Sequence, residues 1–270
     1  GSTVPFIARY RKEATGGLDD AVLRDLQERL VYLRELEDRR SSILESIETQ
    51  GKLTPELKSA IEKAENKQTL EDLYLPYKPK RRTRAQIARE AGLQPLADAI
   101  LENRQAVPEE LAAAYLNAEH QINDTKAALD GARDILAEQF SENAALLALL
   151  RKRLNSEGAI RAAVVPEKAS EAIKFQDYFE HQEPLSSTAS HRMLAMLRGR
   201  EQGFLTLKVD LPEVWEAENP RAPHPFEPEI ARLHGIERED SPRGKFMNEV
   251  CRWTWKIKLA STLESEVIGT

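Results

Sequence analysis

Side chains that could bind phosphate alternate with prolines in the segment around residue 80. Residues 74–84 read YLPYKPKRRTR, and residues 74–90 contain six Lys or Arg against one Glu. The local charge is therefore +5 in a chain whose net charge is −6. Because guanidinium and ammonium groups form charge-assisted hydrogen bonds to phosphate oxygens, this segment predicts an anion-binding surface.

The same segment is expected to run in an extended form into the start of a helix. Pro76 and Pro79 favour extended backbone, and Thr83 followed three residues later by Gln86 is a capping box. Cations at a helix N-terminus oppose the helix dipole at a cost of roughly 0.3–1 kcal/mol each, which favours an anionic ligand. We expect backbone N–H groups and side chains to converge on a phosphate there. The predicted contacts, which we call the basic strip, are Lys78, Lys80, Arg81, Arg82 and Arg84.

An alternative explains the basic strip without a ligand. In this Glu-rich chain the cations could form ion pairs with acidic faces of neighbouring helices, and the composition favours neither explanation. A weaker basic group near the N-terminus adds three candidate phosphate contacts, Arg9, Arg11 and Lys12. A third basic group lies in residues 191–200.

Residue patterns typical of enzymes do not occur in the sequence. A glycine-rich phosphate loop and the G-x-S-x-G nucleophile motif are both absent. The single cysteine, Cys251, falls on a predicted helix, and the five histidines include no i, i+4 pair that could present two nitrogens to a metal. His181 and Glu183 match half of a zinc deaminase motif, but one cysteine cannot supply the other half. We therefore predict no catalytic residue, no metal and no cofactor.

Composition indicates a folded, soluble protein rather than a disordered or membrane-embedded one. Hydrophobic residues make up 41% of the 270 residues and charged residues 31%. The acidic balance, with a pI near 5.6, means that any anion-binding surface is local. One cysteine allows no intramolecular disulfide, and no apolar run is long enough for a membrane span or signal peptide. We expect a cytoplasmic protein without a membrane partner, and, since the chain starts without methionine, a piece of a longer one.

Apolar periodicity predicts a mainly α protein. Leucines at steps of three and four indicate one helix from residue 20 to about residue 50. Asp124 and Ser141 are predicted N-caps of two later helices, and alternation over residues 204–211 predicts a strand. We expect an elongated bundle of helical hairpins around long helices, with at most one small β-hairpin.

Four regions are expected along the chain. Residues 1–160 form an N-terminal helical domain that carries the basic strip, and residues 161–211 contain short helices and the strand. Residues 212–241 are an acidic, proline-rich connector with one short helix. A single amphipathic helix follows over residues 242–270, leading to domains further downstream.

Three motifs in this order resemble a known family. They are TVPFIARYRKE with TGGLD in residues 3–19, LEDLYLPYKPKRRT in residues 70–83, and SHR with Leu194-Ala195 and Arg198-Gly199 in residues 190–199. Together they are similar to the N-terminal part of the Tex family of bacterial transcription accessory proteins, and the similarity extends over essentially the whole chain.

The resemblance implies a cytoplasmic, nucleic-acid-binding accessory factor of transcription. In that family a helical region of this kind precedes a ribonuclease-H-like domain, a helix-hairpin-helix module and a C-terminal OB-fold RNA-binding domain. We therefore predict a non-enzymatic helical scaffold that contacts RNA or DNA through phosphates, without sequence preference. The alternative is a platform that docks RNA polymerase or the protein's own downstream domains without touching nucleic acid.

Overall fold

A computed structural model describes residues 20–269, which are mainly α-helical with one small antiparallel sheet. The predicted fold class is confirmed in this respect. The chain divides into two compact units, residues 1–79 and residues 80–270, and each is described by itself.

The first unit is built around one long helix. Helix α1 spans Asp20–Thr49, as predicted, and is followed by a turn at Gly51, whose φ of +70° suits glycine. Two shorter helices follow, α2 over Pro55–Lys63 and α3 over Lys67–Tyr74, and then a 3-10 turn over Leu75–Tyr77. Thr54 and Asn66 accept hydrogen bonds from backbone N–H groups at the starts of α2 and α3, which stabilises both helix ends.

The core of the first unit forms where the C-terminal half of α1 meets α2 and α3. Ile43 and Ile47 of α1 are fully buried, as are Ile61 of α2 and Leu70 of α3. Arg40 of α1 donates hydrogen bonds to three carbonyl oxygens at the end of α2. These bonds satisfy acceptors that the helix leaves free, so they hold α2 against α1.

The second unit contains most of the helices. Before the sheet these are α4 Arg84–Glu90, α5 Gln94–Glu102, α6 Pro108–Ala112, α7 Thr125–Ser141 and α8 Ala144–Glu157. Later come α9 Ser190–Glu201, α10 Pro212–Glu216, α11 Phe226–Leu233, α12 Pro242–Trp253 and α13 Ala260–Ile268. Short 3-10 turns cover residues 113–115, 118–120, 166–168, 173–178 and 185–187. No helix within residues 20–269 combines the length and the apolar character that crossing a membrane requires.

Helix α7 is the centre of the second unit, with α4, α5, α6 and α12 packed around it. Its buried face carries small residues, among them Ala128 and Ala132. At Gly131 a Cβ atom would lie 2.3 Å from Leu93 Cδ1 and 3.2 Å from Ala88 Cβ. The absence of that side chain lets α4 and the turn after it pack directly on α7.

The sheet has three strands, β1 Ala159–Val164, β2 Glu180–Pro184 and β3 Leu205–Asp210, in the order β2-β1-β3. The predicted strand is β3, and its pairing with β1 is antiparallel, with Ile160 opposite Val209. Strand β2 adds a third strand to the expected hairpin. Its sequence, Glu-His-Gln-Glu-Pro, is polar throughout, so it gives no apolar alternation to detect.

Three local expectations differ from the structure. Asn143, not Ser141, caps α8, because the Ser141 hydroxyl donates to the carbonyl of Glu138 inside α7. Residues 212–241 contain two short helices, α10 and α11, rather than one. The terminal helix is interrupted by a π-helical segment, Thr254–Leu259, which separates α12 from α13.

Candidate nucleic-acid interface

The basic strip leads from the 3-10 turn after α3 into α4. Lys78 has extended backbone, with φ −66° and ψ 131°, as expected before Pro79. The expectation of extended backbone at Pro76 is wrong, because Pro76 lies inside the 3-10 turn Leu75–Tyr77. Thr83 caps α4 as predicted, its hydroxyl oxygen accepting from the backbone N–H of Gln86 at 3.1 Å. Helix α4 has only seven residues, so its dipole contributes little, and the side chains decide what the strip can bind.

A buried carboxylate of α7 anchors the start of α4. Glu138 is 6% exposed, and its two oxygens accept from Arg89 Nη1 at 2.8 Å and from Thr83 Oγ1 at 2.9 Å. Burial alone raises the pKa of Glu138, but these hydrogen bonds and the nearby charge of Lys80 outweigh it and leave the pKa below its usual range. Glu138 is therefore ionised and fixes the path of the strip over α7.

Lys80 faces this acidic anchor. Its ammonium group lies 3.7 Å from Glu138 Oε1 and forms an ion pair with Glu142. Burial lowers the pKa of Lys80, and the positive charges of Arg89 and Lys258 lower it further, against the opposing effect of Glu138. The charge of Lys80 is thus largely committed to carboxylates of its own unit.

Arg82 is also paired, but at the surface. Its guanidinium donates to Glu90 Oε2 at 2.7 Å, and the Arg82 side chain is 66% exposed. Exposed pairs of this kind contribute about 0–1 kcal/mol, so Glu90 does not prevent Arg82 from contacting another anion.

Two cations of the strip are open. Arg81 and Arg84 are exposed, and neither has an ion pair or a side-chain hydrogen bond among residues 20–269. Lys78, which belongs to the first unit, is likewise exposed, and its charge helps to lower the pKa of Glu71, for which the Arg39 hydrogen bond is the main cause. Some cations of the strip are thus paired internally, as the alternative without a ligand expects, and others face solvent.

The other basic groups are placed differently. Arg9, Arg11 and Lys12 lie outside the described residues. In α9, Arg192 forms a forked pair with Glu183 of β2, with nitrogen to oxygen distances of 3.0–3.2 Å. That guanidinium therefore fastens α9 to the sheet.

The anchor residues could not be found from the sequence. Glu138 lies 55 residues after Thr83, on a helix whose sequence predicts only its capping and apolar face, and Glu142 directly follows the end of that helix. Lys258, which acts on Lys80, belongs to the π-helical segment. Within the described part of the chain no group of three or more His, Cys, Asp or Glu side chains could hold a metal ion.

Two models of known protein families match the chain. A family model described as "Tex central region-like" matches residues 103–270, and one described as "Tex-like protein N-terminal domain" matches residues 1–48. The chain belongs to the Tex family. The resemblance of the three motifs is thereby confirmed.

Relatives in the Tex family are similar over the whole chain. "Protein tex" of Bordetella pertussis is 59% identical over 274 residues, covering 100% of this chain and 34% of the relative. "Transcriptional accessory protein Tex" of Neisseria gonorrhoeae is 51% identical over 274 residues, again 100% of this chain and 34% of the relative. The human "S1 RNA-binding domain-containing protein 1" is 29% identical over 284 residues, 99% of this chain and 28% of the relative. The chain thus spans about a third of the length of the bacterial relatives.

Proposed function

We propose that this part of a Tex-like transcription accessory factor is a non-enzymatic, cytoplasmic scaffold that contacts the phosphate backbone of nucleic acid. Arg81 and Arg84 are the principal contacts, and Lys78, Lys80 and Arg82 are secondary ones. Arg9, Arg11 and Lys12 belong to the proposal on their sequence alone. Contacts to phosphate position a protein without reading bases, so we expect binding without sequence preference, to RNA or DNA.

The observation that carries this proposal is the contrast within the strip. Lys80 of the strip and Arg89 of α4 form ion pairs with Glu138, which fixes the backbone. The side chains of Arg81 and Arg84, in contrast, form no hydrogen bond with any described residue. Because the backbone of the segment is already fixed, the conformational freedom lost when Arg81 and Arg84 bind an anion is that of their side chains. The names of the relatives support the same function, since one is a transcriptional accessory protein and another carries an S1 RNA-binding domain in its name.

The test is binding of the chain to fluorescein-labelled single-stranded RNA, measured by fluorescence anisotropy. The variant Arg81→Glu/Arg84→Glu is compared with Lys126→Glu/Lys152→Glu, which changes the net charge equally at exposed lysines of α7 and α8. We expect the arginine variant to bind roughly tenfold or more weakly at low salt, and the lysine variant to bind nearly as the unmodified chain. An equal loss of RNA affinity in both variants would mean that only the net charge of the chain matters, which would contradict the proposal.

A second candidate function rests on a different surface. In the N-terminal half of α1, Leu26, Leu30 and Leu33 are 47%, 54% and 40% exposed and lie on one face of the helix. Such a stripe suits a docked protein, either RNA polymerase or the downstream domains of the full-length protein. Leu26→Lys/Leu30→Lys should then abolish co-sedimentation with purified RNA polymerase or with the separately produced downstream part while leaving RNA binding intact. Unchanged co-sedimentation with both would remove this candidate.

A further inference from the structure

The outward face of the small sheet carries a row of polar side chains. Arg161 of β1 lies directly opposite Gln182 of β2 and Lys208 of β3, and all three are exposed. Residues that are directly opposite in an antiparallel pair project to the same side of the sheet. The neighbouring rows, which include Ile160 and Val209, project to the other side and are buried in the core.

Two cations face each other in this row without a carboxylate between them. Arg161 and Lys208 are cross-strand neighbours, and neither forms an ion pair with any residue in the described range 20–269. Side chains at directly opposite positions have Cβ atoms about 4.5–5.5 Å apart, and like charges there destabilise the sheet. An anion that bridges the two groups would remove this repulsion.

An aromatic ring completes the surface. Trp215 of α10, five residues after the end of β3, lies under the guanidinium of Arg161, which is 4.5 Å from the ring centroid. The Arg161 side chain also donates a hydrogen bond from Nε to Gln182 Oε1 at 3.3 Å. Trp215 and Gln182 thus hold the Arg161 plane in place, and the amide nitrogen of Gln182 has no partner among the described residues.

The residues on either side of Arg161 along the outward face of β1 are small. They are Ala159, which is buried, and Ala163, which is half-buried, so the arginine stands above a low floor on the Ala163 side. Ala163 lies opposite Glu180 and Thr206, and the row of Arg161 and Lys208 lies next to it. A low floor beside two cations and an aromatic ring suits a single strand, whose bases stack on rings and guanidinium planes while its phosphates meet the cations.

We propose that the outward face of the sheet binds single-stranded nucleic acid, with a phosphate between Arg161 and Lys208 and a base stacked at Trp215 and the Arg161 guanidinium. Gln182 is placed to donate its free amide to the edge of that base. This site uses none of the basic strip, so it does not rest on the function proposed for Arg81 and Arg84.

The test is made in the Arg81→Glu/Arg84→Glu background, which removes the principal contacts of the strip. Anisotropy is measured with a labelled single-stranded RNA, an abasic strand of equal length and a duplex. Lys208→Glu should weaken binding of the RNA roughly fivefold or more, whereas Lys126→Glu, the matched exposed lysine, should not. The abasic strand and the duplex should bind more weakly than the RNA, and their affinities should change little when Trp215 is replaced.

Intrinsic fluorescence separates base stacking from charge. The chain has three tryptophans, and Trp215→Phe keeps an aromatic ring while removing one emitter. Quenching of tryptophan emission by RNA should be largely lost in that variant and absent with a polyglutamate peptide. Equal effects of Lys208→Glu and Lys126→Glu, unchanged quenching in Trp215→Phe, or polyglutamate binding as tight as RNA would overturn the proposal. If the sheet does not bind RNA, the result for the Arg81→Glu/Arg84→Glu variant is unaffected, so the two proposals can fail separately.

Discussion

A single buried carboxylate determines how the basic strip is presented. Glu138 accepts from Thr83 and Arg89 and lies beside Lys80, so it fixes both the cap of α4 and the cations next to the open pair. Without it Thr83 and Arg89 would lose this acceptor, and Lys80 would keep only its ion pair with Glu142. Glu138 thus holds the segment from which the Arg81 and Arg84 side chains project.

Replacing Glu138 with Gln should destabilise the second unit. The amide cannot balance Lys80 and Arg89, and removing one member of a partly buried charged network costs about 1–3 kcal/mol. Urea unfolding followed by tryptophan fluorescence reports this unit, because all three tryptophans belong to it. Glu90→Gln is the control, since it breaks the exposed pair with Arg82 and should cost under about 1 kcal/mol. Equal costs in the two variants would mean that Glu138 is not an anchor.

The environment of Glu183 predicts that the fold loses stability in acid. Burial alone raises its pKa, but hydrogen bonds from Arg192 and His181 outweigh that effect and lower the pKa from 4.5 to about 2. A carboxylate with a lowered folded-state pKa stabilises the fold fully above its unfolded pKa, and this stabilisation is lost as the pH falls from 4.5 towards 2.

The measurement is the urea midpoint as a function of pH. The unmodified chain should lose stability below pH 4.5 more steeply than Glu183→Gln, which has no proton to take up at this position. Glu180→Gln, at an exposed position of the same strand, is the control. Parallel curves for the unmodified chain and Glu183→Gln would show that the contacts to Arg192 and His181 do not stabilise the folded state.

Among the elements, helix ends followed from the sequence better than strands. Thr83 and Asp124 cap their helices as expected, because a cap depends on residues only three positions apart. Strands β1 and β2 could not be predicted, since their pairing joins residues about 20 positions apart and β2 has no apolar alternation. The ion pairs of Lys80 and Arg89 with α7 could not be predicted either, because they also join residues that are far apart in the sequence.

Close packing of α4 on α7 should be sensitive to one methyl group. In Gly131→Ala the new Cβ would fall 2.3 Å from Leu93 Cδ1, so α4 and its following turn must move. Overpacking costs about 1–3 kcal/mol, which exceeds the roughly 0.8–1 kcal/mol that alanine gains in helix propensity. We expect a net loss of about 1 kcal/mol in urea unfolding, whereas Lys126→Ala at an exposed site of α7 should not destabilise. A stabilised Gly131→Ala variant would contradict the packing described.

At the scale of the whole molecule, the acidic net charge confines anion binding to local surfaces. The chain carries −6 overall, and much of its basic character is consumed by ion pairs inside each unit. Composition could show that a cationic segment existed, but not which of its members remain open. That distinction depends on the fold, because the partners of Lys80 and Arg89 are Glu138 of α7 and Glu142 directly after it, which are distant from both cations in the sequence.

The salt dependence of RNA binding tests the central claim most directly. Each phosphate contact releases counterions, so the logarithm of the association constant falls with the logarithm of salt concentration by about 0.7 per contact for single strands and 0.9 for duplex DNA. Arg81→Ala/Arg84→Ala should make this slope shallower by roughly 1.4–1.8, while Lys126→Ala/Lys152→Ala should leave it unchanged. A slope that is the same in the unmodified chain and in the arginine variant would show that Arg81 and Arg84 contact no phosphate.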